Sequence, residues 1–203
     1  DGKHIAFWQV DATKIKDYYM LNTTDSNYSK PIPVEYPKVG ELPSAVKIGV
    51  FSVNGGAIKW MMFEGDAQQH YIPRMEWAGN NNLVVQRMDR KQQESKLIYC
   101  NATDGSSRTF WAESSTAWVD LNADDPAGWQ WVNNGTEFLW ISEKDGWRHI
   151  YRISRDGKTE TLLTKGDYDI GELKAVDEKN NYLYSKIRFL EASMRIKNQQ
   201  DMG

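Results

Sequence analysis

The stretches that decide the fold are residues 98–105 (IYCNATDG) and 150–157 (IYRISRDG), which share Ile, Tyr, Asp and Gly at matching positions. Each is followed at the same distance by a threonine and a second apolar run, TFW at 109–111 and TLL at 161–163. An earlier copy begins at Ile48 and reaches its turn at Asn54-Gly55. Each copy therefore reads as a β-hairpin, in which the glycine supplies the positive φ that the turn requires.

A second hairpin alternates with the first. Residues 131–141 (WVNNGTEFLWI) correspond to residues 77–86 (WAGNNNLVVQ), and residues 1–8 and 176–184 match parts of the same unit. If the strands of this unit are A and B and those of the Asx-Gly unit are C and D, the chain runs B, C, D, then A to D twice, then A and B. Four antiparallel strands per repeat are typical of propeller blades, which depend on their neighbours to bury both faces.

The sequence thus predicts an all-β fold, a partial β-propeller of about three four-stranded antiparallel blades. Two blades are complete and the segment is incomplete at both ends, so with four to eight blades in a typical ring we expect a piece of a longer protein with unpaired edge strands. A two-sheet sandwich is the alternative, although it has no reason to repeat the register between aromatic residues and turns.

Two segments interrupt the propeller segment predicted for residues 1–187. Residues 11–45 form a long insertion in the first blade, and an insertion with its own apolar content suggests a functional arm. Residues 188–203 fit no strand pair and favour helix by composition, so a short helix or a disordered tail is expected there.

Composition excludes several classes of function. The net charge is −3, with 25 basic and 28 acidic residues, which argues against a nucleic-acid partner. No apolar run approaches the roughly 20 residues of a membrane-spanning helix, and any export signal is expected to be missing or to have been removed. Cys100 is the single cysteine, which excludes an internal disulfide, and without a local histidine it is expected to be unreactive.

Catalytic and metal-binding motifs are not found, so neither a catalytic residue, a metal nor a cofactor is predicted. No glycine pair forms the G-x-S-x-G elbow of a serine nucleophile, and the three histidines lack metal-ligand spacing. His149 is expected to be structural. The Asp124-Asp125 loop could hold a cation or an amine, but loop acids are usually just solvated. Four N-x-[ST] triplets are weak indications of glycosylation.

The connection from strand D to the next strand A can present side chains to the face or channel of a propeller. Its candidate substrate-facing residues are Trp118, Asp120, Leu121 and Asn122. For Trp118, packing between blades is the favoured interpretation because of its large apolar area.

Two motifs resemble a known family. Tyr36-Pro37-Lys38-Val39-Gly40, followed by Pro43, and residues 141–151 (ISEKDGWRHIY) resemble the β-propeller domain of the dipeptidyl peptidase IV family, in the prolyl oligopeptidase clan of serine peptidases. The resemblance covers residues 1 to about 186. Leu42 departs from the first motif, which usually has an asparagine before the later proline, and the tail departs from the family altogether.

The resemblance implies a noncatalytic part of a periplasmic or secreted serine exopeptidase, a hydrolase that removes X-Pro or X-Ala dipeptides from peptide N-termini. The partners would be the peptide substrate, a C-terminal hydrolase domain and a second copy in a homodimer. The family's substrate-binding Glu-Glu pair occurs nowhere in this chain. The insertion would be the dimerisation arm, with Tyr18, Tyr19, Tyr28 and Tyr36 as candidate anchors.

Two other function classes stay open. A freestanding propeller could serve protein interactions, because the fold hosts many unrelated functions. A glycan-binding propeller is suggested only by the aromatic content, nine Trp and ten Tyr, and lacks a pair of carboxylates with arguable spacing.

Overall fold

A computed structural model describes residues 2–79, 81–120 and 129–188 of the chain. The described residues form β-strands and one 3₁₀ turn at Asn133–Gly135. They contain no helix that is long and apolar enough to cross a membrane. The chain divides into two compact units, the first comprising residues 1–91 and 95–109 and the second residues 92–94 and those from 110 onward.

The first sheet has three antiparallel strands, ordered β1-β4-β5. Strand β1 (His4–Asp11) pairs along its whole length with β4 (Ala45–Ser52), in a register that sets Trp8 opposite Ile48. Strand β5 (Lys59–Trp60) pairs with the other edge of β4. These are strands B, C and D of the first, incomplete blade.

The insertion leaves this sheet between β1 and β4 and forms a separate two-stranded ribbon. Strand β2 (Asp17–Asn22) pairs antiparallel with β3 (Lys30–Glu35), so that Asp17 lies opposite Glu35 and Asn22 opposite Lys30. We call this ribbon, with its tip at residues 23–29, the arm. Its position within residues 11–45 agrees with the predicted insertion.

The second and third blades are complete. The second contains β6 (His70–Trp77), β7 (Asn82–Asp89), β8 (Glu94–Asn101) and β9 (Ser107–Ser114), hydrogen-bonded in that order. The third contains β10 (Trp129–Val132), β11 (Glu137–Ser142), β12 (His149–Ser154) and β13 (Glu160–Leu162), also in chain order. A final hairpin of β14 (Asp169–Asp177) and β15 (Tyr182–Arg188) supplies strands A and B of a further blade.

This arrangement confirms the predicted partial propeller, with two complete blades and incomplete ones at both ends. Strand β15 ends at Arg188, and the rest of the predicted tail lies outside the described residues. The turn chemistry is also as predicted, because Gly55, Gly105 and Gly157 all have positive φ in their C–D turns. In the A–B turns, asparagines take the corresponding left-handed conformation, among them Asn81 and Asn181.

Each unit has its own hydrophobic core. In the first unit, buried side chains of the first sheet pack against those of the second blade: Ile48, Val50, Met61, Ile72, Leu83, Val85, Ile98 and Cys100. In the second unit, the third blade and the final hairpin share a core of Val132, Leu139, Ile141, Ile150 and Ile170. Neighbouring sheets thus bury each other's apolar faces, as the blade argument requires.

Two turn glycines fix how a blade meets strand D of the preceding blade. Gly105 lies against the backbone of Trp60, where a Cβ would overlap the Trp60 carbonyl oxygen. Its own carbonyl accepts a hydrogen bond of 2.8 Å from the Met62 N–H. In the second unit, Gly157 lies in the same way against the Phe110 carbonyl. The repeated Asp-Gly therefore makes the turn and leaves room for the neighbouring strand.

Candidate functional site

A cavity of about 490 Å³ opens in the second unit. One wall is the segment that ends β9 and follows it, residues 113–120. The other is the end of β11 and the start of the turn that follows it, residues 141–144, together with Arg148. The first wall is the D-to-A connection that the sequence singled out.

Backbone hydrogen bonds fix this connection. The Ser115 hydroxyl oxygen accepts the N–H groups of Ala117 and Trp118, both at 3.2 Å. The Val119 N–H donates to the Gln92 carbonyl at 2.7 Å, and the Val119 side chain is buried. Trp118 is left 58% exposed. The expectation that Trp118 packs between blades is therefore wrong, because Val119 is the residue that anchors the connection.

Two of the four predicted substrate-facing residues are brought together here. Trp118 and Asp120 both line the cavity. Leu121 and Asn122 lie outside the described residues, as does the Asp124-Asp125 loop.

The opposite wall is held by a network around Asp145. Its carboxylate lies 2.9 Å from His149 Nδ1 and accepts the Trp147 N–H at 3.3 Å. The Tyr151 hydroxyl also donates to it. Burial alone would raise the pKa of Asp145, but these hydrogen bonds outweigh burial and lower it. The turn is thereby fastened to the strand that follows it.

His149 is a structural residue, as predicted. It is buried, and its second ring nitrogen, Nε2, lies 3.0 Å from the Gly166 carbonyl oxygen. Both ring nitrogens are thus engaged by groups of the protein itself. Its role is to hold the turn that lines the cavity.

Glu143 shows the electrostatic character of the cavity. Burial, followed by the nearby Asp120 carboxylate, raises the pKa of Glu143, and the Arg148 guanidinium acts in the opposite direction. The cavity lining thus carries charges of both signs, the carboxylates of Glu113, Asp120 and Glu143 and the cations of Lys144 and Arg148.

Glu113 joins the two walls. Its carboxylate accepts a 2.7 Å hydrogen bond from Trp140 Nε1 and another from the Ser142 hydroxyl. Sequence reasoning missed Glu113 because its partners lie 27 and 29 residues away and no local motif marks it. Glu143 and Arg148 stand inside the quoted 141–151 motif, which marked the family resemblance but not the cavity.

The cavity is lined by three serines, Ser114, Ser115 and Ser142, but by no histidine that could pair with one of them. The Ser115 hydroxyl oxygen caps backbone N–H groups and the Ser142 hydroxyl is committed to Glu113, while both nitrogens of His149 are in use. Within residues 2–79, 81–120 and 129–188, no three His, Cys, Asp or Glu side chains are grouped so as to hold a metal.

Other predicted residues lie in the first unit. Tyr18, Tyr19, Tyr28 and Tyr36 are all exposed on the arm or at its base. Cys100 is fully buried, which raises the pKa of its thiol to about 12 and leaves it unreactive, as expected.

Comparison with known proteins assigns the family. The sequence profile described as "Dipeptidyl peptidase IV (DPP IV) N-terminal region" matches residues 1–186. The chain belongs to this dipeptidyl peptidase IV N-terminal region family. Among curated relatives, it is 24% identical to inactive dipeptidyl peptidase 10 of Rattus norvegicus, over 91% of this chain and 24% of the relative.

Solved structures show the same fold. The chain superimposes on a putative dipeptidyl aminopeptidase IV from Bacteroides ovatus with a TM-score of 0.77 and 20% identity, over 91% of this chain and 28% of that one. For Porphyromonas gingivalis dipeptidyl peptidase 4 the TM-score is 0.76 and the identity 28%, over 86% and 24%. The chain thus spans about a quarter of the length of these dipeptidyl peptidase IV relatives.

Proposed function

We propose that this chain is the noncatalytic propeller part of a serine exopeptidase that releases X-Pro or X-Ala dipeptides from peptide N-termini. In this proposal the nucleophile belongs to a C-terminal hydrolase domain, and the chain restricts and binds the peptide substrate. The enzyme would be periplasmic or secreted. The match to the dipeptidyl peptidase IV N-terminal region over residues 1–186 carries the proposal.

The cavity supports a substrate-binding role. Trp118 offers an exposed aromatic face, while Asp120 and Glu143 supply acceptors for the N–H groups or cationic side chains of a peptide. Hydrogen bonds of backbone and side-chain groups hold both walls, so a peptide would meet a largely preformed surface.

Substitution in the full-length enzyme tests this role. Trp118→Ala should raise KM for a proline-containing peptide by about tenfold, the effect of losing roughly 1.4 kcal/mol of contact, with little change in kcat. Trp77→Ala is the matched control, since Trp77 is a half-exposed tryptophan that does not line the cavity. An unchanged KM for Trp118→Ala would remove the cavity from the substrate path.

The second part of the proposal is homodimerisation through the arm. It is supported by four exposed tyrosines on a ribbon that projects from the first sheet, since aromatic side chains are frequent interface anchors. Replacing residues 17–36 with a short Gly-Ser linker should halve the mass measured by light scattering. A mass lowered only by the deleted residues would refute it.

A freestanding protein-interaction propeller is the second candidate. One observation favours it: a curated relative is itself named an inactive dipeptidyl peptidase, so membership of this family is compatible with the absence of catalysis. Sequencing downstream of residue 203 separates the two, because only the peptidase requires a serine elbow there.

A further inference from the structure

Both ring nitrogens of His149 face oxygen atoms. Nδ1 lies 2.9 Å from an Asp145 carboxylate oxygen, and Nε2 lies 3.0 Å from the Gly166 carbonyl oxygen. A backbone carbonyl has no proton to donate, and a carboxylate can only accept hydrogen bonds when it is ionised. The ionisation state of Asp145 therefore decides how many protons the ring carries.

Asp145 is ionised in the folded chain. Its carboxylate also accepts the Trp147 N–H at 3.3 Å and the hydroxyl of Tyr151. Burial, followed by the hydrogen bond to Asp145, raises the pKa of Tyr151, so this hydroxyl keeps its proton and acts as the donor. Burial acts to raise the pKa of Asp145, but the hydrogen bonds that the carboxylate accepts lower it. Asp145 is therefore an acceptor towards His149.

A neutral imidazole has one N–H and one lone pair. In either tautomer, the lone pair of a neutral His149 ring would face an acceptor oxygen. The ring is only 2% exposed, and leaving a buried acceptor without a donor costs free energy. An imidazolium, with two N–H groups, satisfies both oxygens. Asp145 supplies the opposite charge, and its side chain is 32% exposed, so water reaches one side of the ion pair.

The charges around the ring are compatible with a cation there. Besides Asp145 and Tyr151, the elements around the ring carry these charged or titratable residues: Lys144, Arg148, Lys165, Asp167, Tyr168 and Asp169. Lys144 pairs with Glu160, and the Arg148 guanidinium interacts with Glu143. The Tyr168 ring meets the imidazole edge-on, with the ring centroids 5.7 Å apart. Lys165 and Asp167 are exposed and of opposite charge, and the Asp169 carboxylate accepts the Arg148 N–H at 2.8 Å.

We propose that His149 is an imidazolium in the folded chain and that its two N–H groups position one wall of the cavity. One N–H holds the turn at residues 143–148 through Asp145, and the other holds the segment before β14 through Gly166. The turn leaves β11 at Ser142, directly opposite His149, and carries Glu143 and Arg148 into the cavity lining. His149 is thus a positioning residue, and its effect on a substrate rests on the proposed function.

Nuclear magnetic resonance of the chain labelled with ¹⁵N-histidine tests the charge. The chain has three histidines, and the His149 signals are those lost in His149→Phe or, if that variant does not fold, those kept in both His4→Gln and His70→Phe. At pH 7.5 an ordinary histidine is about nine-tenths neutral. We expect a directly bonded proton on both ring nitrogens of His149. His70 is the internal control, because burial and Arg87 lower its pKa, and it should show one. A single protonated nitrogen in His149 would overturn the proposal.

Replacing the ring tests the positioning. His149→Phe keeps an aromatic ring but removes both N–H groups, so the Trp147 amide should exchange its hydrogen at least tenfold faster, while amides of β7 in the first unit are unaffected. In the full-length enzyme, this variant should raise KM for a proline-containing peptide about tenfold and leave kcat within about twofold. His70→Phe is the matched control, since it makes the same substitution at a buried histidine that does not line the cavity, and its KM should be unchanged.

The outcomes separate this inference from the proposed function. Two ring protons with unchanged Trp147 exchange in His149→Phe would show that the cation does not position the wall, which overturns the inference. Two ring protons and faster Trp147 exchange support it. If KM is then unchanged in both His149→Phe and Trp118→Ala, the proposed substrate-binding role of the cavity fails and the positioning of the wall by His149 stands.

Discussion

Gly105 and Gly157 each lie against the backbone of a neighbouring strand. Alanine at either position would combine positive φ with overlap of a neighbouring backbone carbonyl. Gly105→Ala should lower the free energy of unfolding by about 2–4 kcal/mol, measured by urea denaturation. Gly55→Ala is the matched control, because Gly55 has the same turn and positive φ but nothing within 4 Å, so about 1 kcal/mol is expected. Equal losses of unfolding free energy in the two variants would show that the close contact with Trp60 does not add to the cost of the substitution.

His70 should make stability depend on pH. It is 3% exposed, and burial, followed by the Arg87 cation, lowers the pKa of its imidazole below the ordinary value of 6.5. The folded chain then binds fewer protons than the unfolded chain, so the free energy of unfolding falls as the pH drops below about 6.5. Above that pH the effect is absent.

Replacing His70 isolates this contribution. His70→Phe keeps an aromatic ring beside Phe63, which lies 6.3 Å away in an edge-on arrangement. When the pH is lowered from 7.5 to 5, the urea midpoint of the original chain should fall more than the midpoint of this variant. If the urea midpoints of the two proteins change equally with pH over that range, the pH dependence does not come from His70.

Strand β9 is fastened to β11 by one carboxylate. Glu113→Ala leaves the buried Trp140 indole N–H without its acceptor and should cost about 1–3 kcal/mol of unfolding free energy, with a change in tryptophan fluorescence. Glu172→Ala removes a mostly solvated ion pair with Lys174 and should cost less than about 1 kcal/mol. Similar losses in the two variants would argue against the fastening role.

The repeating strands could be predicted because their information is local. The internal repeat and its turn residues located β7, β8, β11 and β12 without any long-range knowledge. The arm was predicted as an insertion but not as a two-stranded ribbon. Pro31 and Pro33 argue against a strand at β3 in the sequence, and they are tolerated there because β3 is an edge strand.

The whole chain should bind peptides without cleaving them. Purified alone, it should show no turnover of a Gly-Pro chromogenic substrate, since three serines line the cavity, Ser114, Ser115 and Ser142, but no histidine does. The full-length enzyme is the positive control. Turnover that a serine reagent abolishes would place a nucleophile in this chain and contradict the proposal that catalysis belongs to a separate hydrolase domain.

The cavity itself was only partly predictable. Trp118 and Asp120 follow from the position of the D-to-A connection in a repeat, which is a property of the architecture. Their relation to Glu143 and Arg148 depends on two loops separated by more than 20 residues, and the exposure of Trp118 depends on which neighbour, Val119, is turned inward. The spacing of residues in the sequence does not show which loops meet or which side chain of a loop is buried.

The seating of each Asp-Gly turn on the preceding strand D implies a direction for assembly. During synthesis, Trp60 leaves the ribosome before Gly105, and Phe110 before Gly157, so each new hairpin meets a surface that is already made. Folding can then advance from the amino end, one hairpin at a time. A defect in an early turn would deprive the next hairpin of the surface on which it packs.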